Sequence, residues 1–273
     1  MTTALLPDRL PAAASAPADR TVSGLTSTVV FIGRSLRHTL RNTEALTMAV
    51  VLPVMLMLLF TYVFGGALDA KGGYVNYVVP GIILLCAGFG SSSTAVDVAE
   101  DMTNGIVDRF RTMPLRANGV ITGHVVASLV RNLIATGVVI GVALAVGFRP
   151  TANPVEWLGA LGIIALFILA ITWLYAAIGL AARTPSAASS YGFALLFLPY
   201  LSSAFVPPET MPSWLQWIAD NQPITPIIET IRGLLLGTDS GDRPLWALGW
   251  CLVIIVGAYV WAAILFRRKA ARR

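Results

Sequence analysis

Charge is what this sequence has least of. Of its 273 residues only 12% are Asp, Glu, Lys or Arg, while 56% are hydrophobic, and the mean hydropathy is +0.74. A soluble domain carries about 25% charged residues. The deficit points to an integral membrane protein, because lipid-facing positions hold charge only at high cost. Cysteine is also scarce. Cys86 and Cys251 both lie inside apolar runs, which speaks against a disulfide framework or a metal site. The only lysines, Lys71 and Lys269, do not follow a G-x-x-x-x-G-K-[ST] phosphate loop, so the chain does not hydrolyse ATP by that route. There is no H-E-x-x-H helix and no Ser-His-Asp set that can be assigned, so catalytic and metal residues are none. The first 24 residues have no signal-peptide core. Rich in Ala, Pro and Ser, they read as a disordered tail.

What is present is long apolar runs. A spanning helix needs about 20 mostly apolar residues to cross a hydrocarbon layer of about 30 Å. Six runs qualify: 45–65, 77–96, 132–148, 157–182, 187–206 and 245–266. The third is short and has an alternative start near Gly119. The chain is basic, with net charge +5 and pI near 9.6. Its basic residues flank the apolar runs and form no stripe, so nucleic acid is not an expected partner. With the N-terminus inside, fifteen Lys and Arg fall on inner segments and four on outer ones, Lys71, Arg149, Arg232 and Arg243. The positive-inside rule then places both termini, including the basic tail 267–273, in the cytoplasm. Ahead of the first run, Leu25, Val29, Ile32, Leu36 and Leu40 recur at three- and four-residue steps, the pattern of an amphipathic helix lying on the inner membrane surface. Pro53 falls inside the first span, where neighbouring helices can satisfy the freed carbonyl.

Residues 97–116, DVAEDMTNGIVDRFRTMPLR, interrupt the second and third runs with an unusually long polar stretch. Met102, Ile106, Phe110 and Met113 share one helical face, while Asp101, Thr103, Asp108 and Arg111 point largely away from it. Pro114 stops the helix. Helix connections in bundles need about 2–8 residues. The excess fits a surface that grips a partner, and it also fits a solvated helix lying on lipid. Asp97 closes one run and Arg131 precedes the next, so the two either pair near the inner interface or reach water separately.

Residues 207–244 carry structure of their own. Pro212 to Ile218 reads as a short helix with Trp214 and Trp217, interface-seeking residues. Thr225 and Pro226 read as the start of a second helix, which Gly237 ends. Glu229 and Arg232 have the spacing of an ion pair. The two helices make either a re-entrant or interfacial lid, with Pro223 at their junction, or a plain surface cap.

The run NGIVDRFRTMPLRANGVITGH resembles the loop between spans two and three of ABC-2-type transporter membrane subunits, and within them the daunorubicin-resistance type of bacterial drug exporters. The resemblance extends to Arg41-Asn42, Phe64-Gly65-Gly66, Tyr77-Val78-Val79-Pro80-Gly81, Gln222-Pro223-Ile224-Thr225-Pro226 and Arg232-Gly233-Leu234-Leu235-Leu236-Gly237. It implies an all-α, six-span membrane domain over 25–266, of the kind found in type V ABC exporters. It also implies that residues 100–113 are a coupling helix seated in a groove of a cytoplasmic ATPase. Glu100, Asp101, Met102, Gly105, Ile106, Asp108, Arg109, Phe110, Arg111 and Pro114 would form that contact. ATP and Mg would then bind the partner ATPase and not this chain. A second copy or a related permease, the bilayer of a bacterial cell and a lipophilic or lipid cargo complete the expected partners. Spans four to six contain no ionisable residue in their apolar cores, which fits a greasy cargo. A proton- or sodium-coupled secondary transporter is the alternative. It would place ionisable groups at mid-bilayer, whereas here the candidates lie at the ends of the runs. A membrane-embedded enzyme would need a convergent polar cluster.

Overall fold

Five of the six apolar runs form single long helices. In chain order the elements are α1 (Thr43–Leu58, continued by a π-helical segment Leu59–Phe64 and a last turn Gly65–Leu68), α2 (Tyr74–Thr103), α3 (Asn118–Val146), α4 (Pro154–Ala181), α5 (Pro185–Leu195), α6 (Ser213–Asn221), α7 (Ile224–Leu236) and α8 (Arg243–Ala271). The structure is a computed structural model that describes residues 43–68, 73–103 and 118–271, and among these no strand occurs. The tail 1–24, the amphipathic stretch 25–41 and residues 104–117, with Gly105, Ile106, Asp108, Arg109, Phe110, Arg111 and Pro114, lie outside the described residues. The helices long and apolar enough to cross a membrane are Ala49–Ala67, Tyr74–Thr103, Ile121–Val146, Pro154–Ala181 and Arg243–Phe266.

The second and third spans are longer than the apolar runs that announced them. Helix α2 continues past Val96 to Thr103, and α3 begins at Asn118, matching the alternative start near Gly119 and not the one at Asn132. The residues that break the apolar pattern between the two runs include Asp101, His124, Ser128 and Arg131, and these pair inside the bundle: Asp101 with His124, Ser128 with Thr94, and Arg131 with the Gly90 carbonyl. Such polarity ends an apolar run in the sequence but costs little where a neighbour satisfies it. The start of α4 is set locally. The Asn153 side chain accepts from the backbone N–H of Val155 and Glu156, Pro154 takes the first turn, and Glu156 accepts from the Asn153 N–H at 2.7 Å, a reciprocal cap.

The fifth run, 187–206, is not a single helix. Helix α5 begins at Pro185 with Thr184 as N-cap and stops at Leu195; a 3-10 turn, Leu198–Leu201, follows. Pro199 explains the stop. An α-helix through this point would need the N–H of residue 199 to bond the carbonyl of Leu195, and proline has no N–H and crowds that carbonyl. The segment nevertheless runs the length of the bundle. Ala188 packs with Ala95 and Ala99 near the Thr103 end of α2, and the Phe205 carbonyl accepts from the Tyr74 hydroxyl at its other end, 2.6 Å away. The substitution Pro199→Ala restores the donor. It is expected to lengthen α5 by about one turn, read as slowed amide exchange over residues 197–200.

Helix α2 is the axis of the fold, buried along most of its length between α1, α3, α4 and α5. Glycines set its closest approaches. A Cβ at Gly179 of α4 would meet the Ala95 carbonyl oxygen and stand 3.0 Å from Val98 Cβ, and one at Gly81 of α2 would stand 2.6 Å from Ala204 Cβ. By contrast, Gly137 and Gly141, a GxxxG pair on α3, face open space. Cys86 and Cys251 are buried free thiols.

Candidate functional site

A polar seam joins α2 to α3 inside the bundle. Asn132 Nδ2 donates to Ser91 Oγ at 3.1 Å, Thr94 Oγ1 donates to Ser128 Oγ at 2.9 Å, and Asp101 Oδ2 lies 2.8 Å from His124 Nε2. Each step along α2 toward Thr103 is matched by a step back along α3, which fixes an antiparallel register. Ser91 Oγ also pairs with Thr172 Oγ1 of α4 at 3.0 Å. Gly90 makes the crossing close, since a Cβ there would overlap the Asn132 side-chain oxygen. Of these residues, Thr94 and Ser128 carry no assignment in the sequence analysis, although Ser91 and Thr94, and Ser128 and Asn132, have the three- and four-residue spacing that puts each pair on one helix face.

Arg131 belongs to this seam. It is 2% exposed, and its Nη2 donates to the Gly90 carbonyl at 2.8 Å and to Ser93 Oγ at 2.6 Å. It stands well inside the span Ile121–Val146, about 20 Å along the axis from Asn118. In the antiparallel register Asp97 falls about 7 Å nearer the Thr103 end and acts on Arg131 through its charge. The expectation that ionisable groups are confined to the ends of the runs is therefore corrected for Arg131. The guanidinium is tolerated because carbonyl and hydroxyl oxygens replace water around it.

Ser93 also lines a cleft. Leu52 of α1, Phe89, Ser92, Ser93 and Val96 of α2, and Ser189, Phe193 and Leu196 of the α5 segment enclose about 270 Å³. Its surface is mostly apolar with hydroxyls at three points, a composition suited to a greasy molecule carrying a few polar groups. Phe193 and the adjoining Tyr191 and Phe197 are more than half exposed.

At the Tyr74 end, α6 and α7 form a cap. Helix α7 starts at Ile224, with Pro223 in the N-cap position, so Thr225 and Pro226 lie inside its first turn instead of starting it. The Thr225 hydroxyl donates to the Ala219 carbonyl of α6 at 2.6 Å. Gly237 ends the helix at φ +67°, the left-handed conformation that glycine allows. Trp214 and Trp217 are 67% and 69% exposed, as residues seeking a membrane interface would be. Arg232 does not pair with Glu229. Its Nη2 donates to the Ser203 carbonyl at 2.8 Å and the Tyr77 carbonyl at 3.1 Å, and its Cζ sits 3.9 Å above the Tyr77 ring. Glu229 instead binds Arg243 Nε at 2.8 Å. Burial pushes the Glu229 carboxyl above the ordinary carboxylate range, against the pull of Arg243 and Arg232.

At the Thr103 end, Glu100 is exposed and Met102 packs on an apolar cluster of Val98, Ile121, Leu180 and Ala262. Asp101 faces His124 there.

The sequence family described as ABC-2 type transporter matches residues 26–236. Among curated relatives, the chain is 30% identical over 210 residues to the daunorubicin resistance ABC transporter permease protein DrrB1 of Streptomyces coeruleorubidus, covering 76% of this chain and 73% of that one. It is 26% identical over 270 residues to the probable doxorubicin resistance ABC transporter permease protein DrrC of Mycobacterium tuberculosis, covering 97% and 96%. It is 25% identical over 249 residues to the putative transport permease ycf38 of Porphyra purpurea, covering 84% of each.

Proposed function

The chain belongs to the ABC-2 type transporter family, and from that premise we propose that it is the membrane-spanning permease subunit of an ATP-binding-cassette exporter. It moves a lipophilic or amphipathic compound, a drug, antibiotic or lipid, out of the cytoplasm or the inner leaflet, driven by a separate ATPase subunit that holds ATP and Mg. The observation that carries this reading is the end-to-end alignment with a permease named for doxorubicin resistance, 97% of one chain on 96% of the other. The cleft between α1, α2 and the α5 segment supports the cargo class.

In this reading the chain crosses a bacterial cell membrane six times, with the α5 segment through Phe205 as a broken fifth crossing. The Thr103 end of α2 is cytoplasmic, as the excess of inner Lys and Arg requires. Residues 100–113 engage the ATPase through the face of Ile106 and Phe110, rimmed by Asp108, Arg109 and Arg111. The cap with Trp214, Trp217, Pro223, Glu229 and Arg232 covers the outer mouth. A second copy of the chain or a related permease closes the path. Arg131 gives little support to proton coupling, because a guanidinium does not release its proton at physiological pH.

The test is reconstitution of the chain with its ATPase in liposomes, with doxorubicin and uncharged lipophilic compounds as probes. ATP-dependent movement of a probe is expected; its absence across the panel, with ATP hydrolysis intact, would count against export of greasy cargo. Phe110→Ala and Asp108→Arg are expected to cut transport per ATP by about tenfold, the effect of losing one anchor of a partner interface, with the spans still folded by circular dichroism. Normal transport in both variants removes the coupling assignment.

A further inference from the structure

We infer that the Asp101–His124 bond is a clasp joining the two ends of segment 104–117, and that both residues are positioning residues for energy coupling. This inference rests on the transport reading above. Asp101 lies two residues before the end of α2, and His124 lies on the first turns of α3. Their side chains meet at 2.8 Å and are each 17% exposed. An ionised carboxylate only accepts, so His124 Nε2 carries the proton of this bond whether the ring is neutral or charged. A hydrogen bond to an ionised group is about twice as strong as one between neutral groups, and partial burial shields it from screening by salt.

The position of the bond gives it a mechanical consequence. It closes the polar seam at the end next to residues 104–117. Asp101 and His124 line one small pocket with Val98 of α2, Ile121 of α3, Leu180 of α4 and Phe266 of α8. Four helices therefore converge where α2 ends and α3 begins. With the clasp closed, α2 and α3 cannot splay, and a displacement of either end is delivered to all four helices together. With the clasp open, the same displacement is absorbed by separation of the ends of α2 and α3. This assigns the Asp101 carboxylate to a partner within the chain, leaving Asp108 and the residues around it for the ATPase.

The experiment uses the full-length chain with its ATPase in proteoliposomes, doxorubicin as the probe, and probe moved per ATP hydrolysed as the readout. Asp101→Ala and His124→Ala are each expected to lower that ratio about tenfold, the factor one charge-assisted hydrogen bond contributes to an equilibrium. The exchanged pair, Asp101→His with His124→Asp, is expected to recover most of it. A purely structural role would lower hydrolysis and transport in proportion and leave the ratio unchanged. A ratio within twofold of the parent in both alanine variants, or an exchanged pair no better than either single change, overturns the clasp. If the parent complex moves no doxorubicin, the cargo reading fails for that probe. The clasp is then judged on the thermal unfolding of the permease in a double-mutant cycle of the two alanine changes. Measurable coupling between them supports it, and additive effects overturn it.

Discussion

Replacing Gly179 by Val is expected to force α2 and α4 apart and to cost about 3 kcal/mol or more of stability. The two helices cross with backbone against backbone. A Cβ at Gly179 would overlap the Ala95 carbonyl oxygen and press on Val98 Cβ at 3.0 Å. Neither obstacle is the end of a flexible side chain, so no change of rotamer relieves the clash. In a bilayer the loss is not offset elsewhere, because lipid tails are as apolar as the helices and association depends on close packing. Gly179→Ala should show the same defect at roughly half the size. Thermal unfolding in lipid nanodiscs gives the number, and transport should fall with it, since Ala176, Ala177 and Leu180, packed with Val98 and Ile121, are carried by the same helix. Gly137→Val is the control: its added atoms meet open space within the chain, and the unfolding midpoint of the isolated chain should not move. An equal loss at Gly137 would show that detergent or lipid contacts dominate the measurement and not the α2–α4 crossing.

The helices were legible wherever apolar content was continuous, and this gave α1, α4 and α8 nearly their full extents. It fell short at α2, and at α3 it left two starts, of which the earlier one near Gly119 matches the structure; there Asp101 pairs with His124, and Ser128 and Arg131 bond across the helix pair to Thr94 and the Gly90 carbonyl. A polar residue ends a run in one dimension while extending a span in three. Proline was ambiguous for the same reason. Pro53 and Pro80 sit inside helices α1 and α2, while Pro199 falls in the 3-10 turn that follows α5. The local chemistry is identical at all three, and the neighbours decide whether the freed carbonyl can be borne. The cap was legible in its turn chemistry, through Gly237 and the two tryptophans, but not in its partners. A spacing of three residues suggested that Glu229 and Arg232 bind each other, whereas each finds its partner in a distant element. The coupling assignment of residues 100–113 draws on the sequence and on the family.

That difference in partners yields the second large effect. Arg232→Ala is expected to destabilise the protein by about 3–4 kcal/mol. Arg232 is 9% exposed, and its guanidinium joins α7 to the Ser203 carbonyl and to the Tyr77 carbonyl of α2. Hydrogen bonds from a charged donor contribute about 1.5–3 kcal/mol, and a desolvated cation over an aromatic face adds about 2 kcal/mol. The alanine also leaves the Ser203 carbonyl buried without its donor. Arg232→Lys should recover less than half, because an ammonium is a point charge that cannot span two carbonyls while lying flat on the Tyr77 ring. Glu229→Gln should cost under about 1 kcal/mol, since its Arg243 partner is 37% exposed and the pair is screened by solvent. The ordering separates two accounts of the cap. If Arg232 and Glu229 acted as one ion pair, their substitutions would cost similar amounts and fail to add in a double mutant. If Arg232 is instead the bolt that holds α7 onto α2, its loss exceeds that of Glu229 several-fold, and the coupling between the two is small beside it.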